Sequence, residues 1–340
     1  MGHPFDARLG ANENIFGPAP SAIAAMQDTA SRIWMYGDPE SHDLRNALAD
    51  FHNVSPSNIV VGEGIDGLLG YLVRLLIHSG DTVVTSLGAY PTFNYHVAGF
   101  GGELHSVPYK DDAEDLPALL AKAREVGAKL VYFANPDNPM GSWCSGPEIV
   151  SQIDDIPDGC VLLIDEAYVE LAPEGTAAPV SIDDPRVIRM RTFSKGYGMA
   201  GARVGYALGN AEFIKAFEKI RNHFGMNRAS QAGALAALQD TEWLSQTQEK
   251  VAAARDAITD IAAKYGLKAL PSATNFVAID CGRDGTFAKL ILDGLVANGI
   301  FVRMPFVAPQ NRCIRISCGS ERELALLDAA LETVLADHNC

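Results

Sequence analysis

Short apolar runs recur along the first two thirds of the chain, and each ends at a polar or glycine-containing segment. Segments with apolar residues at helical spacing separate several of these runs. Strands that alternate with helices are typical of a parallel sheet covered by helices on both faces. The predicted strands end near Val61, Thr85, Ala134, Ile164, Thr192 and Leu208. We therefore expect an α/β fold around a mostly parallel central sheet.

Two parts of the chain depart from this alternation. The runs MRTFSK and ARVGYAL lie too close together for a crossover helix, so we expect these two strands to be antiparallel. From about Thr241 to Tyr265 the chain has helical periodicity and few helix breakers. Beyond it the strand-like segments are NFVAID, IFVRM and CIRIS, followed by a predicted helix from Glu321 to roughly Ala336. These elements predict a smaller α+β domain after the long helix.

The composition is that of a globular protein. The chain has 340 residues, enough for two domains, with 48% hydrophobic and 20% charged residues. No apolar run approaches the ~20 residues that a membrane-spanning helix requires. The opening segment MGHPFDARLGANEN lacks the basic and then apolar pattern of a signal peptide. We therefore expect a cytoplasmic protein.

Charge and metal-ligating residues exclude two further classes of function. A formal net charge of −15 and a pI near 4.9 disfavour binding to nucleic acid. The eight histidines are scattered, and the cysteines form no CxxC pair, so we predict neither a metal site nor a disulfide framework. The cysteines are Cys144, Cys160, Cys281, Cys313, Cys318 and Cys340. The acidic run KDDAED, from Lys110 to Asp115, is most simply a solvated loop.

One lysine stands in a setting that suits covalent catalysis. Lys195 follows an apolar strand in the run TFSKGYGMAGARVGY, and Arg203 comes eight residues later. An amine held beside a permanently charged guanidinium suits a Schiff base to a phosphate-bearing aldehyde, and pyridoxal phosphate is the cofactor with both groups. Taken alone, the run also describes an ordinary surface loop.

Three other strand ends favour the catalytic interpretation. Polar groups follow the strands in IVVGEGID, LVYFANPDNPMG and CVLLIDEAY. In an open parallel sheet, ligands bind beyond the carboxyl ends of the strands, so these segments and Lys195 are expected to converge on one site.

These residues, in this order, carry a family resemblance. Asn138, Asp165, Tyr168, Ser194, Lys195 and Arg203 resemble the motifs of the fold-type I aminotransferases. The segments LGANENIFGPAP, WMYGDPES and NRCIRISCG narrow the resemblance to the histidinol-phosphate aminotransferase-like branch, from about Leu9 to Gly319. The resemblance implies a transaminase that uses pyridoxal 5'-phosphate. It also implies a large domain over residues 31–240 and a discontinuous small domain formed by residues 1–30 and 241–340.

The resemblance assigns cofactor contacts to particular residues. Asp165 would face the ring nitrogen, where a buried carboxylate keeps the proton on the ring. Asn138 and Tyr168 would donate hydrogen bonds to the phenolate oxygen. Phe93 would stack on the ring face, with Tyr90 and Tyr95 as core aromatics.

The phosphate contacts belong to a second group of residues. A helix N-terminus offers free amides and the positive end of a dipole. The implied phosphate ligands are the amides of Gly64, Ile65 and Asp66 with the side chains of Thr192, Ser194 and Arg203. Tyr36 resembles the tyrosine that reaches the phosphate of the neighbouring subunit, which implies a homodimer with a shared active site.

The resemblance also implies a substrate site and a proton carrier. Arg315 is the candidate for binding a carboxylate or phosphate of the substrate, with Arg303 as a second cation and Asn12 in the same pocket. Lys195, released when the substrate amine takes its place, would move the α-proton.

The substrate stays open at this point. Ile15-Phe16 stand where relatives commonly have Pro-Tyr, and Met140 stands where they usually have threonine. Histidinol phosphate, an aromatic amino acid or another amino acid would each fit as the donor to a 2-oxo acid. The alternatives are a lyase such as a threonine-phosphate decarboxylase, and a cofactor-binding module without catalysis.

Overall fold

The computed structural model describes residues 5–337, apart from the side chain of Asp337. Outside this range lie the first four residues of the opening segment and the last three residues of the predicted small domain, including Cys340. The strands are β1 (Ala7–Arg8), β2 (Ile59–Gly62), β3 (Thr82–Ser86), β4 (Glu103–Val107), β5 (Leu130–Ala134), β6 (Val161–Asp165), β7 (Val187–Thr192), β8 (Gly205–Gly209), β9 (Lys268–Ala269), β10 (Phe276–Asp280), β11 (Ile300–Phe301) and β12 (Cys313–Ser317). The helices are α1 (Pro20–Thr29), α2 (His42–His52), α3 (Gly64–Leu76), α4 (Pro91–Gly99), α5 (Leu116–Val126), α6 (Gly146–Val150), α7 (Ala211–Ala216), α8 (Arg228–Gln239), α9 (Thr241–Lys264), α10 (Gly285–Ala297) and α11 (Glu321–Asp337).

The central sheet has seven strands in the order β2-β8-β7-β6-β5-β3-β4. All pairs are parallel except those of β8, which runs antiparallel to both β2 and β7. The α/β prediction and the antiparallel pair are therefore confirmed. Because β2, β5, β6 and β7 point the same way, their carboxyl ends share one edge of the sheet.

Both faces of this sheet are buried, which explains the continuous apolar runs of its strands. In β5, Tyr132 packs on one face with Leu68 of α3 and Phe93 of α4. The next residue back, Val131, packs on the other face with Leu119 of α5. Each fully buried apolar side chain of this size contributes about 1.5–3 kcal/mol to folding.

Polar caps fix where several helices begin. Asp115 accepts a hydrogen bond from the amide of Ala118 at the start of α5, at 3.1 Å. Asp240 accepts one from the amide of Trp243 at the start of α9, also at 3.1 Å. Such caps satisfy amides that have no partner within the helix.

The smaller part of the fold is built on a separate core. Its antiparallel sheet has the order β12-β10-β9, and β1 pairs in parallel with β11 beside it. Apolar residues of α9, α10 and α11 cover these strands. α1, in contrast, contributes Ala22 to a cluster that contains Ala234 of α8.

The acidic run from Lys110 to Asp115 is not simply a solvated loop. The Glu114 carboxyl has a buried oxygen, Oε1. Asp112 forms a bidentate pair with Arg312, with Oδ1 to Nη1 at 3.0 Å and Oδ2 to Nη2 at 2.7 Å. The run therefore links the central sheet to the smaller part of the fold.

Among residues 5–337, no helix combines the length and the apolar character needed to cross a membrane.

Candidate active site

A cavity of about 220 Å³ lies at the carboxyl ends of β5, β6 and β7, where the smaller part of the fold meets the central sheet. Most residues predicted for the site line this cavity. They are Asn12, Ile65, Asp66, Asn138, Asp165, Tyr168, Thr192, Ser194, Lys195, Arg203, Arg303 and Arg315. The convergence predicted from the strand ends is therefore found in the structure.

Lys195 is held by residues from the N-terminal segment. Its Nζ donates a 3.0 Å hydrogen bond to the carbonyl oxygen of Asn12, and its own carbonyl accepts a 2.9 Å bond from Nδ2 of the Asn14 side chain. Burial lowers the pKa of Lys195 to about 8, and the positive charges of Arg315 and Arg203 act in the same direction. Near neutral pH a useful fraction of this amine is therefore unprotonated and nucleophilic.

Asp165 lies at the end of β6, deep in the cavity. One carboxylate oxygen accepts a 2.7 Å hydrogen bond from the hydroxyl of Tyr132, and the other accepts a 2.9 Å bond from the amide of Ala167. Burial raises the pKa of Asp165 to about 6. A buried acid of this kind is stabilised when a cationic group comes to face it.

Asn12 joins Tyr168 to the smaller part of the fold. Its side-chain amide donates to the Tyr168 hydroxyl at 3.1 Å, and its backbone amide donates to Ser317 Oγ at 3.0 Å. Asn275 also donates to the Asn12 carbonyl at 3.0 Å. Burial raises the pKa of Tyr168, so this hydroxyl keeps its proton and can donate it in a hydrogen bond.

The start of α3 forms the other end of the cavity. Gly64 adopts a φ of +78°, a conformation that is strained for residues with a Cβ, and a Cβ there would also displace Arg203, whose Nη2 would lie 2.5 Å away. Arg203 also contacts Ser194 Oγ at 3.4 Å, and Ser194 Oγ lies 2.9 Å from Thr192 Oγ1. A guanidinium, two hydroxyls and the first amides of a 13-residue helix form a cradle suited to an anion.

Two arginines stand on adjacent backbone segments at the wall formed by the smaller part. Arg303 and Arg315 form an isolated β-bridge, in which the Arg315 amide donates to the Arg303 carbonyl at 2.6 Å. Arg315 is buried, donates to the Asn138 side-chain oxygen, and has an Nε without a partner among the described residues. Burial and Arg303 lower the pKa of Arg315 to about 10, which leaves it charged at neutral pH.

The prediction for Phe93 is wrong in this structure. The Phe93 ring has no exposed surface and stacks on Tyr132 with centroids 4.8 Å apart, so it cannot present a face to a bound ring. Tyr90, three residues earlier, lines the cavity and donates to Asp66 at 2.9 Å. Tyr95, also predicted as a core aromatic, is 72% exposed. The start of α4 at Pro91 turns Phe93 toward the sheet.

Tyr36 lies away from the cavity of its own chain. Its side chain is 77% exposed and contacts the ring of Phe224 at 4.9 Å between centroids. Within one chain it therefore has no contact with Lys195 or the helix start.

Comparison with known proteins decides the family. Residues 7–334 match the family described as aminotransferase class I and II. The chain belongs to this family. This aminotransferase is 32% identical, over 97% of its length and 90% of the relative, to histidinol-phosphate aminotransferase 1 of Mesorhizobium japonicum. It is 34% identical to histidinol-phosphate aminotransferase of an Anaeromyxobacter species, over 97% of this chain and 91% of the relative.

A solved structure extends the comparison to the fold. The crystal structure of histidinol-phosphate aminotransferase from Sinorhizobium meliloti in complex with pyridoxal-5'-phosphate is 54% identical to this aminotransferase, with a TM-score of 0.98. The match covers 99% of this chain and 93% of that one. This aminotransferase is thus an enzyme of the fold-type I class with pyridoxal phosphate as its cofactor, and the non-catalytic alternative is excluded.

The residues of the cavity fit this cofactor. An amine of lowered pKa, a buried acid of raised pKa, and an anion cradle stand in one cavity. Tyr132 and Tyr90 belong to the site but were missed from sequence, because aromatic residues beside apolar ones look like core. For Tyr132, the sequence signal was a hydroxyl-bearing side chain within the otherwise apolar run LVYFA.

Proposed function

We propose that this aminotransferase moves the amino group of histidinol phosphate to a 2-oxo acid. The observation that carries the proposal is the adjacent pair Arg303 and Arg315, two cations at the wall formed by the smaller part of the fold. A phosphate dianion can form charge-assisted hydrogen bonds with two guanidinium groups, whereas a carboxylate carries only one negative charge for them. The names of the relatives support the same donor. Phe16 lacks the hydroxyl that commonly stands at this place in relatives, so the arginines carry the recognition.

Each side chain of the site has a proposed role. Bound pyridoxal phosphate supplies an aldehyde that condenses with amines and a ring that withdraws electrons from the neighbouring carbon. Lys195 holds the cofactor through its amine and then carries the α-proton between two carbon atoms. Asp165 would keep the ring nitrogen protonated, while Asn138 and Tyr168 would donate to the phenolate oxygen. The cradle of Gly64, Ile65, Asp66, Thr192, Ser194 and Arg203 would hold the phosphate.

A panel of amino donors tests the choice of substrate. Histidinol phosphate, histidinol, phenylalanine, tyrosine and threonine phosphate would be compared with 2-oxoglutarate as acceptor, with glutamate and carbon dioxide both measured. We expect histidinol phosphate to have the highest kcat/KM, at least about tenfold above that of histidinol. A tenfold ratio corresponds to about 1.4 kcal/mol, which a single charge-assisted contact to the phosphate can supply. Preference for phenylalanine or tyrosine would contradict this donor. Carbon dioxide release would support the lyase alternative. This alternative has less support, because the relatives are named as aminotransferases.

The two arginines are predicted to contribute unequally to substrate binding. Arg315→Gln is expected to raise the KM for the donor roughly 30-fold or more, because a buried, bidentate contact to an anion is lost, while kcat changes less. Arg303→Gln is the matched comparison and is expected to raise KM only a few-fold, because the Arg303 side chain is exposed to solvent. Steady-state kinetics with both variants measures this difference. Equal effects of the two substitutions would contradict the assignment.

We also propose that the enzyme is a homodimer whose active sites are shared. Four apolar residues near the N-terminal helix are strongly exposed: Ile33 (60%), Trp34 (80%), Tyr36 (77%) and Phe224 (55%). Exposed aromatic clusters of this kind are typical of protein interfaces. Burial against a second copy would bring Tyr36 to the phosphate of the neighbouring site.

The dimer is predicted to depend on this cluster. Light scattering of the wild type is expected to give about twice the chain mass of 36.4 kDa. Trp34→Asp is expected to shift the mass toward the monomer, because a charge in an apolar interface costs several kcal/mol. Phe100→Asp, which changes a 42% exposed aromatic elsewhere, is the control. A dimer that is indifferent to Trp34→Asp would contradict this interface.

Two further assignments are proposals. The proposed large domain comprises residues 31–240, and the proposed small domain comprises residues 1–30 and 241–340. The pairing of β1 with β11 supports this division. The packing of α1 on α8, in contrast, associates residues 20–29 with the large domain. A cytoplasmic location is supported by five free cysteines among the described residues, since reducing compartments maintain thiols.

A further inference from the structure

Two carboxyl groups meet behind the wall that carries Asn138 and Arg315. Asp137 is 1% exposed, and its carboxyl group lies beside that of Glu114, close enough for one acid to donate to the other when it holds a proton. Neither residue lines the main cavity. Two buried carboxylates in contact would repel each other strongly, so such a pair holds a proton between its members.

The surrounding donors favour Glu114 as the holder of that proton, because both oxygens of Asp137 already accept hydrogen bonds. Asp137 Oδ1 accepts from the Tyr109 hydroxyl at 2.8 Å, and Asp137 Oδ2 accepts from the Met140 amide at 3.0 Å. Glu114 Oε2 accepts from Ser86 Oγ at 2.9 Å, and the backbone of Ala134 also hydrogen-bonds to this carboxyl group, whereas its buried Oε1 has no hydrogen-bond donor among residues 5–337. A proton on Glu114 turns the acid into a donor toward Asp137 and satisfies the pair.

Burial acts on both acids in the same direction. It raises the pKa of Asp137 to about 6 and raises the pKa of Glu114 well above its usual value. At neutral pH the pair therefore carries one proton and one negative charge. That charge faces Arg315, since the guanidinium lowers the pKa of Asp137 and Asp137 raises that of Arg315.

Asp137 also shapes the loop that presents Asn138. Its carbonyl accepts from the Gly141 amide at 3.1 Å, and its amide donates to the Ser142 carbonyl at 2.8 Å. With the Met140 contact, these bonds close a turn around Asn138, whose side-chain oxygen accepts from Arg315. The orientation of Arg315 thus depends on a turn that the acid pair holds together.

We propose that Glu114 and Asp137 share one proton and act as a positioning pair, which holds Asn138 against Arg315 and thereby sets the affinity for the acid group of the amino donor. The inference rests on the proposed function, because Arg315 is the group that binds the donor.

Substitutions at Glu114 separate positioning from general stability. Glu114→Ala removes the donor to Asp137 and is expected to raise the KM for histidinol phosphate about tenfold, with kcat within about threefold, because binding rather than chemistry is affected. Glu114→Gln keeps a donor of the same shape and is expected to restore KM to within about twofold of the wild type. Glu125→Gln, at an exposed site on α5, is the control. An unchanged KM in Glu114→Ala, or a KM in Glu114→Gln as high as in Glu114→Ala, would overturn the proposal.

The pH dependence of stability tests the shared proton without any substrate. Because the folded state keeps a proton on Glu114 that the unfolded chain releases above its ordinary pKa, the contribution of this group to the free energy of unfolding of the wild type falls as pH rises from 5 to 8. Glu114→Gln has no such proton, so its Tm should fall less over that range. The other titratable groups around the pair are Tyr109, Tyr132, Cys144 and Arg315, and all remain in both proteins.

Melting curves of the holoenzyme at pH 5, 6, 7 and 8 give this comparison. A Tm difference between the two proteins that grows with pH supports the shared proton. Parallel curves would overturn it, even if histidinol phosphate were not the donor. A wrong donor would instead leave this result intact and appear only in the donor panel.

Discussion

Replacing Lys195 with alanine is expected to lower the rate of amino transfer by at least about 10³-fold, because both a covalent anchor and a general base are lost. The structure supports both roles: the amine is held 3.0 Å from the Asn12 carbonyl and its pKa is lowered to about 8. An alanine at this position leaves the phosphate cradle and Asp165 in place. The variant should therefore still bind pyridoxal phosphate without turning over.

Single-turnover measurements on the isolated half-reaction test this expectation. The loaded variant and the wild type would be mixed with the donor, and conversion of the cofactor to its amine form followed by absorbance. Lys215→Ala, which removes an exposed lysine at the end of α7, is the control and should retain the wild-type rate. A Lys195→Ala enzyme that converts its donor at an undiminished rate would contradict the assignment.

Asp165→Asn is expected to have the second largest effect, a loss of about 10²-fold or more in kcat. An amide keeps the shape and can accept from Tyr132, but it carries no charge to keep the ring nitrogen protonated, and this electrostatic contribution acts in a buried site. Tyr132→Phe removes only the hydrogen bond and should cost far less. Steady-state kcat of the two variants gives the comparison, and a wild-type kcat in Asp165→Asn would rule out the proposed contact.

The same acid predicts a pH dependence for cofactor binding. In the cofactor-free protein burial raises the pKa of Asp165 to about 6, so its charge is present above that pH and is lost below it. We expect the affinity for pyridoxal phosphate to weaken as pH falls through about 6 and to weaken less in Asp165→Asn. Fluorescence titration of the cofactor at several pH values measures this.

Much of the site could be predicted from sequence because strand ends are visible in the hydrophobic pattern. Lys195, Asp165 and Asn138 each follow an apolar strand, and parallel strands bring their carboxyl ends to one edge. The antiparallel return of β8 could be predicted for a similar reason, since too few residues separate it from β7. Arg303 and Arg315 were found through family resemblance, whereas their pairing required the structure.

Other features depend on rotation and burial that the pattern does not contain. Tyr90 reaches the cavity and Phe93 does not, because Tyr90 directly precedes α4 while Phe93 lies within the helix and packs into the core. Tyr132 has the pattern of a core residue in a buried strand, although its hydroxyl contacts Asp165. Glu114 stands in an acidic run typical of solvated loops, yet contacts in three dimensions bury it against Asp137. Long-range pairing of this kind leaves no local signal.

A covalent bond between Lys195 and the cofactor underlies every role proposed for the site. Purified protein would be incubated with pyridoxal phosphate, reduced with borohydride and digested, and the modified peptide identified by mass spectrometry. The structure predicts a single cofactor adduct on the side chain of Lys195, and none in Lys195→Ala. An adduct at another lysine, or no adduct on a protein shown to be folded, would contradict the central claim.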